Sequence, residues 1–365
     1  MSKNKQQRGA TAIFIVIFAM LLLSIIAISF LGTMLREKGR SLDDELSESA
    51  YDSALAGVED GKRALEACAK GKAVACSAIK EKKCDTTSRA GIVTETDGEV
   101  KIRSKTFGGG KNELNQAYTC VKVNRKTNEY KGRLGADDSV IVPLKGDGGY
   151  DQVEVSWHNI NDGDGYNFNN PLNPSLSSLS SWERPALFKA QYMQYSKGTL
   201  KPAEFNDDGK AHTVFLYPND VGSASHDIKL KDLRRDGSAE PVEVKCQSSP
   251  GIVGYVCSTK LILPPMPNRV AYLRLTSMYK SAHFQVKLLD GASAVVKFDG
   301  VQPIIDSTGR ANDVYRRVEA RVEAVDRNFP FPRATIDISN NFCKNFSLTE
   351  NDFFGGSCNP SISGI

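Results

Sequence analysis

The feature that most constrains this chain is an unbroken apolar run near its start, Ile13–Leu31, nineteen residues with no charge and only two serines. As a helix it spans about 30 Å, the thickness of a bilayer's hydrocarbon core. Lys3, Lys5 and Arg8 precede it, which favours a cytoplasmic N-terminus, while Arg36, Lys38 and Arg40 on the far side reduce the charge asymmetry. A secretion signal has an apolar region of about 7–15 residues followed by a small-x-small cleavage site. Ala27 and Ser29 supply such a pair, but the block is longer than a signal requires.

Helical composition continues past the apolar run to about residue 70. Leu42, Leu46, Ala50, Ala54, Gly57, Gly61, Ala64 and Cys68 recur at three- or four-residue steps, with charges on the other faces. The pattern predicts one long helix, half of it apolar all round and half amphipathic. The small residues of the stripe let a neighbouring helix or sheet approach closely but bury little area by themselves. The C-terminal part of the stripe is expected to pack on the chain's own globular region.

The basic leader ending in Arg8-Gly9, the small residues Ala10-Thr11-Ala12, the apolar helix and the continuation "ESAYDSALAGVEDGKRAL" together resemble the N-terminus of a type IV pilin-like protein. The combination is most similar to PilX-type minor pilins and covers about the first seventy residues. The resemblance implies a prepilin. Residues 1–9 would be a leader removed by a membrane peptidase between Gly9 and Ala10, with the new N-terminus methylated. Residues 10–70 would be the pilin helix, transmembrane over 13–31, with Phe14, Ile17, Leu21 and Leu22 in the filament core after assembly. The implied partners are other pilin subunits, the prepilin peptidase, an assembly platform, and the membrane before assembly. One departure matters: the fifth mature residue, glutamate in most pilins, is Phe14 here. That loss suggests a minor or tip-located subunit active in filament initiation, tip capping or adhesion. The alternative is a signal-anchored surface binding module that belongs to no filament.

All eight cysteines (Cys68, Cys76, Cys84, Cys120, Cys246, Cys257, Cys343 and Cys358) follow the apolar block, and their number is even. Their position and count fit an exported region held by disulfides. None forms C-x-x-C, and the spacing of eight between the first three matches no zinc framework. The first four are expected to form two bridges, in one of three connectivities. Cys246 and Cys257 flank a Pro250-Gly251 turn, which points to a bridge across a hairpin. Cys343 and Cys358 enclose fourteen residues within a C-terminal segment, residues 341–365, read as a disulfide loop.

Residues 71–149 read as loops and short strands. Residues 150–340 read as strand after strand, with β-branched and aromatic residues punctuated by Gly, Pro, Asn and Asp. The expected fold is therefore α+β, a long N-terminal helix followed by a disulfide-bonded antiparallel sheet or sandwich. In "YRRVEARVEAV" Val318, Ala320, Val322 and Ala324 alternate with Arg317, Glu319, Arg321 and Glu323, so one face is apolar and the other charged.

A net charge of +4 demands no polyanionic partner. Lys80, Lys82, Lys83 and Arg89 lack the interleaved aromatics of a nucleic-acid platform and read as a solvated face. The cluster "NINDGDGYNFNN" gathers Asn161, Asp162, Asp164, Asn167 and Asn169, oxygen donors that calcium could use, although such a loop after a strand is usually turn chemistry and the EF-hand pattern is not met. Apart from that calcium candidate no cofactor is expected. The four histidines (His158, His212, His226 and His283) are dispersed, and no hydrolase, nucleotide-binding or metalloprotease motif occurs, so no enzyme is expected.

Overall fold

The computed structural model describes residues 7–105, 111–163, 166, 168, 182–197, 210–220, 227–230, 241–247 and 254–323. Three helices lead the chain: α1 (Gln7–Ala69), α2 (Ala73–Glu81) and α3 (Thr86–Arg89). Strands follow as β1 (Val100–Lys105), β2 (Lys111–Thr127), β3 (Tyr130–Leu134), β4 (Ser139–Pro143) and β5 (Gln152–Asn159). After a 3-10 turn at Ile160–Asp162 come β6 (Leu187–Ser196), β7 (Ala211–Asn219), β8 (Asp227–Lys229), β9 (Val242–Lys245) and β10 (Tyr255–Ile262). The last are β11 (Arg269–Met278), β12 (Ala282–Leu289), β13 (Val295–Val296), β14 (Phe298–Ala311) and β15 (Val314–Arg321). The protein is α+β, a long apolar-to-amphipathic helix followed by a disulfide-bonded, β-rich region.

The chain divides into two compact units, one containing the chain up to Arg125 with Pro303–Val322, the other Lys126–Gln302 with Glu323. This cuts across the sequence-based division at residue 150, because the last long strands return to pair with β2 and do not extend the later sheets. In the first unit the sheet order is β1-β2-β14-β15, and α1 lies across it. Helix α1 stops at a glycine-terminated turn: Gly71 has φ 87°, its N–H donates to the Cys68 carbonyl at 2.9 Å, and the Lys72 N–H reaches the Ala67 carbonyl at 3.0 Å. This nested pair satisfies carbonyls that the helix end would leave open, and glycine meets the positive φ without a Cβ penalty.

The region read as loops and short strands holds α2, α3 and the seventeen-residue β2. Alternation in "AYTCVKV" carries the strand, since Val121 and Val123 point into the core with Ile305, Val58 and Ala64. The helices are short and built from small residues, so their apolar period spans barely two turns and is lost among the lysines. Two disulfides close this unit. Cys68–Cys76 joins the end of α1 to α2, and Cys84–Cys120 joins the loop after α2 to β2.

The second unit has two sheets sharing one core. One has the order β13-β12-β5-β10-β8 with β3 also on β12; the other has the order β4-β11-β6-β7-β9. Trp157 of β5 stacks on Phe188 of β6 at 5.1 Å between ring centroids, bringing the inner faces together. Around them Val155, Leu216, Leu273, Phe284 and Val286 are buried. The sheets are mixed where the sequence suggested antiparallel pairing alone, for β10 runs parallel to β8 and β7 parallel to β9. The chain steps between sheets from β7 to β10, so each strand returns beside its predecessor but one after a crossover, as a parallel pair requires. Cys246 and Cys257 are bonded at the end of this crossover region.

Candidate functional site

The surface that distinguishes this chain is the first half of α1. From Ile13 to Met34 its large apolar side chains are exposed, among them Phe14 at 74%, Ile17 at 51%, Leu21 at 57% and Leu22 at 47%. The helix is long and apolar enough to cross a membrane, and among the described residues none of its most apolar window is covered. Water does not tolerate so large a continuous apolar surface on a monomeric protein; such a surface marks a membrane or protein interface. The helix keeps its own polar groups satisfied, with Ser24 Oγ donating to the Met20 carbonyl at 2.8 Å and Thr33 Oγ1 to the Phe30 carbonyl at 2.8 Å. These bonds let hydroxyls sit in an apolar surrounding without a dangling donor. Gly9 and Ala10 lie near the helix start.

The second half of α1 is held differently. Leu42 is still exposed, Leu46 is half-buried, and from Ala50 the stripe is covered: Ala50, Ser53, Ala54, Val58, Ala64, Leu65 and Cys68 are buried. Close approach depends on glycines from both elements. A Cβ on Gly61 would meet Ile305 at 2.8 Å, one on Gly57 would meet Val121 at 2.9 Å, and one on Gly309 of β14 would overlap the backbone at Ala50 and Ala54. Sequence reasoning missed Gly309. Its signal was a glycine inside a strand, which marks either a bulge or a backbone that comes very near.

Polar contacts fix the helix on the sheet. Tyr118 Oη donates to Asp60 Oδ2 at 2.8 Å, and Arg63 Nη1 donates to Asp60 Oδ1 at 2.9 Å. Burial, reinforced by the Asp60 carboxylate, pushes the Tyr118 phenol far above its usual range, so it remains a donor. Arg316 Nε donates to Ser47 Oγ at 2.7 Å. Val318, Ala320 and Val322 pack toward the helix, while Arg317 pairs bidentately with Asp306 at 2.7 and 2.6 Å on the other face. Glu323 leaves the charged row and accepts the Tyr130 hydroxyl at 2.8 Å.

Of the calcium candidates, Asp164, Asn167 and Asn169 lie outside the described residues. Asp162 serves an internal role. Its Oδ2 accepts the N–H groups of Asn159 and His283, each at 2.9 Å, and its Oδ1 contacts His283 Nδ1 at 2.7 Å. Asn161 donates its N–H to the Asn159 side chain at 2.9 Å, completing a capped turn that pins the end of β5 to β12. Burial opposes ionisation of Asp162, but these hydrogen bonds outweigh it and hold the carboxyl below its usual range. His158, buried beside this turn with φ 66°, packs edge-on against Tyr166, and burial lowers its pKa. No cluster of three or more His, Cys, Asp or Glu suited to a metal occurs among the described residues.

Lys83 and Arg89 both pair with Glu81, so part of that basic run is internally neutralised. His226, Ala324, Cys343 and Cys358 lie outside the described residues. Comparison of the sequence with models of known protein families and with characterised proteins finds no match.

Proposed function

We propose that this chain is a minor pilin or pseudopilin: a subunit held in a membrane by the first half of α1 and transferred, after removal of residues 1–9, into a filament built from such helices. It acts at initiation, tip capping or adhesion, with its β-rich region outside the membrane. The observation that carries the reading is the contrast along one continuous helix. Residues 13–34 expose an apolar surface on all sides, while residues 50–68 are clamped to a disulfide-closed unit. A helix that only anchored a domain would need the first property but not a rigid continuation; a helix that transmits position from a packed bundle to an outer domain needs both.

Phe14 supports a minor role. A subunit lacking a carboxylate there cannot pair with the amine of a neighbour inside an apolar bundle, where an unpaired charge is very costly. The oxidised cysteines of the described residues agree with placement outside the cytosol. Replacing Gly9 by valine tests the reading. The variant should reach the membrane, keep its leader and be missing from sheared filaments. Normal filament incorporation of unprocessed Gly9→Val would overturn it, and absence of the unmodified chain from any filament would favour the signal-anchored module.

A further inference from the structure

Strand β3 pairs with β12 alone among the described residues, leaving its other edge beside a groove of about 590 Å³ within the second unit. The register makes Lys131 and Arg133 the residues whose backbone groups point away from β12. Lys131 is already served in an unusual way. Its N–H donates to Gln302 Oε1 at 3.0 Å and its carbonyl accepts from Gln302 Nε2 at 2.8 Å. The buried side-chain amide of Gln302 thus takes the place that a peptide bond of an adjoining strand would occupy. Two residues on, the alternation of the strand turns the N–H and carbonyl of Arg133 toward the same groove.

The groove is built, not merely left over. Gly132 admits the Phe284 ring so closely that a Cβ would meet it at 2.8 Å, which keeps the floor flat. Glu323 is engaged by Tyr130, Asp138 caps the Gly135 N–H at 3.1 Å, and Lys131 pairs with Glu129 at 3.1 Å. That leaves Arg133, exposed and with no ion-pair partner among the described residues, as the unpaired cation of a lining that also holds the carboxylates of Asp137, Asp138 and Glu323.

We propose that the β3 edge is a strand-addition site: an extended peptide from another protein continues the sheet from where Gln302 ends, hydrogen-bonding the main chain of Arg133 and setting an acidic side chain against its guanidinium. Main-chain bonds supply affinity in this mode and the side-chain pair supplies selectivity. A charged edge also discourages indiscriminate pairing, which suits a site reserved for a complementary strand. The proposal rests on the second unit alone and does not depend on the filament reading.

The test uses the full chain in detergent micelles and a fluorescein-labelled, acetylated octapeptide of alternating Thr and Val with one central Glu. Gln and Lys versions, and a version N-methylated beside the Glu, serve as comparisons. Saturable anisotropy changes should rank Glu over Gln over Lys, and N-methylation should weaken binding about tenfold or more by removing a main-chain donor. Arg133→Glu, an exposed change, should reverse the order of the Glu and Lys peptides. Absence of saturable binding, indifference to N-methylation, or an unchanged order in Arg133→Glu would each overturn the proposal. So would a dimer of the chain alone that Arg133→Glu abolishes, because the occupant would then be a second copy.

Discussion

Gly309→Ala offers a test in which the sign of the effect decides. The residue sits in the middle of β14 with an ordinary negative φ, where glycine costs about 0.5–1 kcal/mol relative to alanine, so backbone propensity alone makes the substitution stabilising. Packing argues the opposite. A Cβ at Gly309 would run into the Ala50 carbonyl oxygen and the Ala54 nitrogen, backbone atoms of a helix with no rotamer to yield. The helix would have to retreat by a sizeable fraction of an ångström, loosening the contacts of Ala54, Gly57 and Gly61 with the sheet. Overpacking that moves backbone costs about 1–3 kcal/mol, and we take the upper end, about 3 kcal/mol. Hydrogen exchange of the amides between Ala50 and Leu65 reads this directly, and their exchange should accelerate about a hundredfold or more. Gly57→Ala is the graded companion: its added methyl meets the side chains of Ser307, Val121 and Tyr118, and it should cost less. Unchanged or slowed exchange in Gly309→Ala would refute the view that the second half of α1 is clamped by backbone contact.

Other outcomes follow from the same geometry. Replacing both Cys84 and Cys120 by serine opens a bridge with a sequence separation of 36 and should remove about 4 kcal/mol by loop-closure entropy, read as a lower denaturation midpoint of the first unit. Leu22→Arg, placed near the middle of the apolar run, should cost about 3 kcal/mol of membrane insertion and release a large fraction of the chain in alkaline extraction. Burial depresses the His158 pKa in the fold, so the folded state binds fewer protons than the unfolded; stability should fall as pH drops below the unfolded value of 6.5, and His158→Gln should flatten that arm. The Asp162 carboxyl is also depressed, so its contribution is present above the unfolded value of 3.8 and lost as pH falls through the lower folded value. Asp162→Asn should be less stable at neutral pH yet show no loss in that acid window, both measured by thermal midpoints.

Long, strongly periodic features were legible in the sequence. The apolar run, the small-residue stripe from Ala50 to Cys68 and strands such as "RVAYLRLTSM" announce themselves because each repeats one physical choice many times. The pairing of Cys84 with Cys120 was not, since three connectivities satisfy the same spacing and only the placement of β2 selects one. The mixed sheets depend on which strand the chain returns to, a property of crossovers and not of local alternation. The contact of Asp162 with His283 was not legible either, because the two are 121 residues apart and local reading cannot join them. The Gln302 amide on Lys131 escaped notice for the same reason, as a buried glutamine in a strand carries no pattern.

The most direct test of the central claim is the intact mass and N-terminal sequence of the protein recovered from its native cells in sheared surface filaments. A transferable filament helix predicts a polypeptide that begins at Ala10, bears one added methyl group on its amine and is found in the filament fraction. A polypeptide that retains Met1 through Gly9 and stays wholly in the membrane fraction would contradict it.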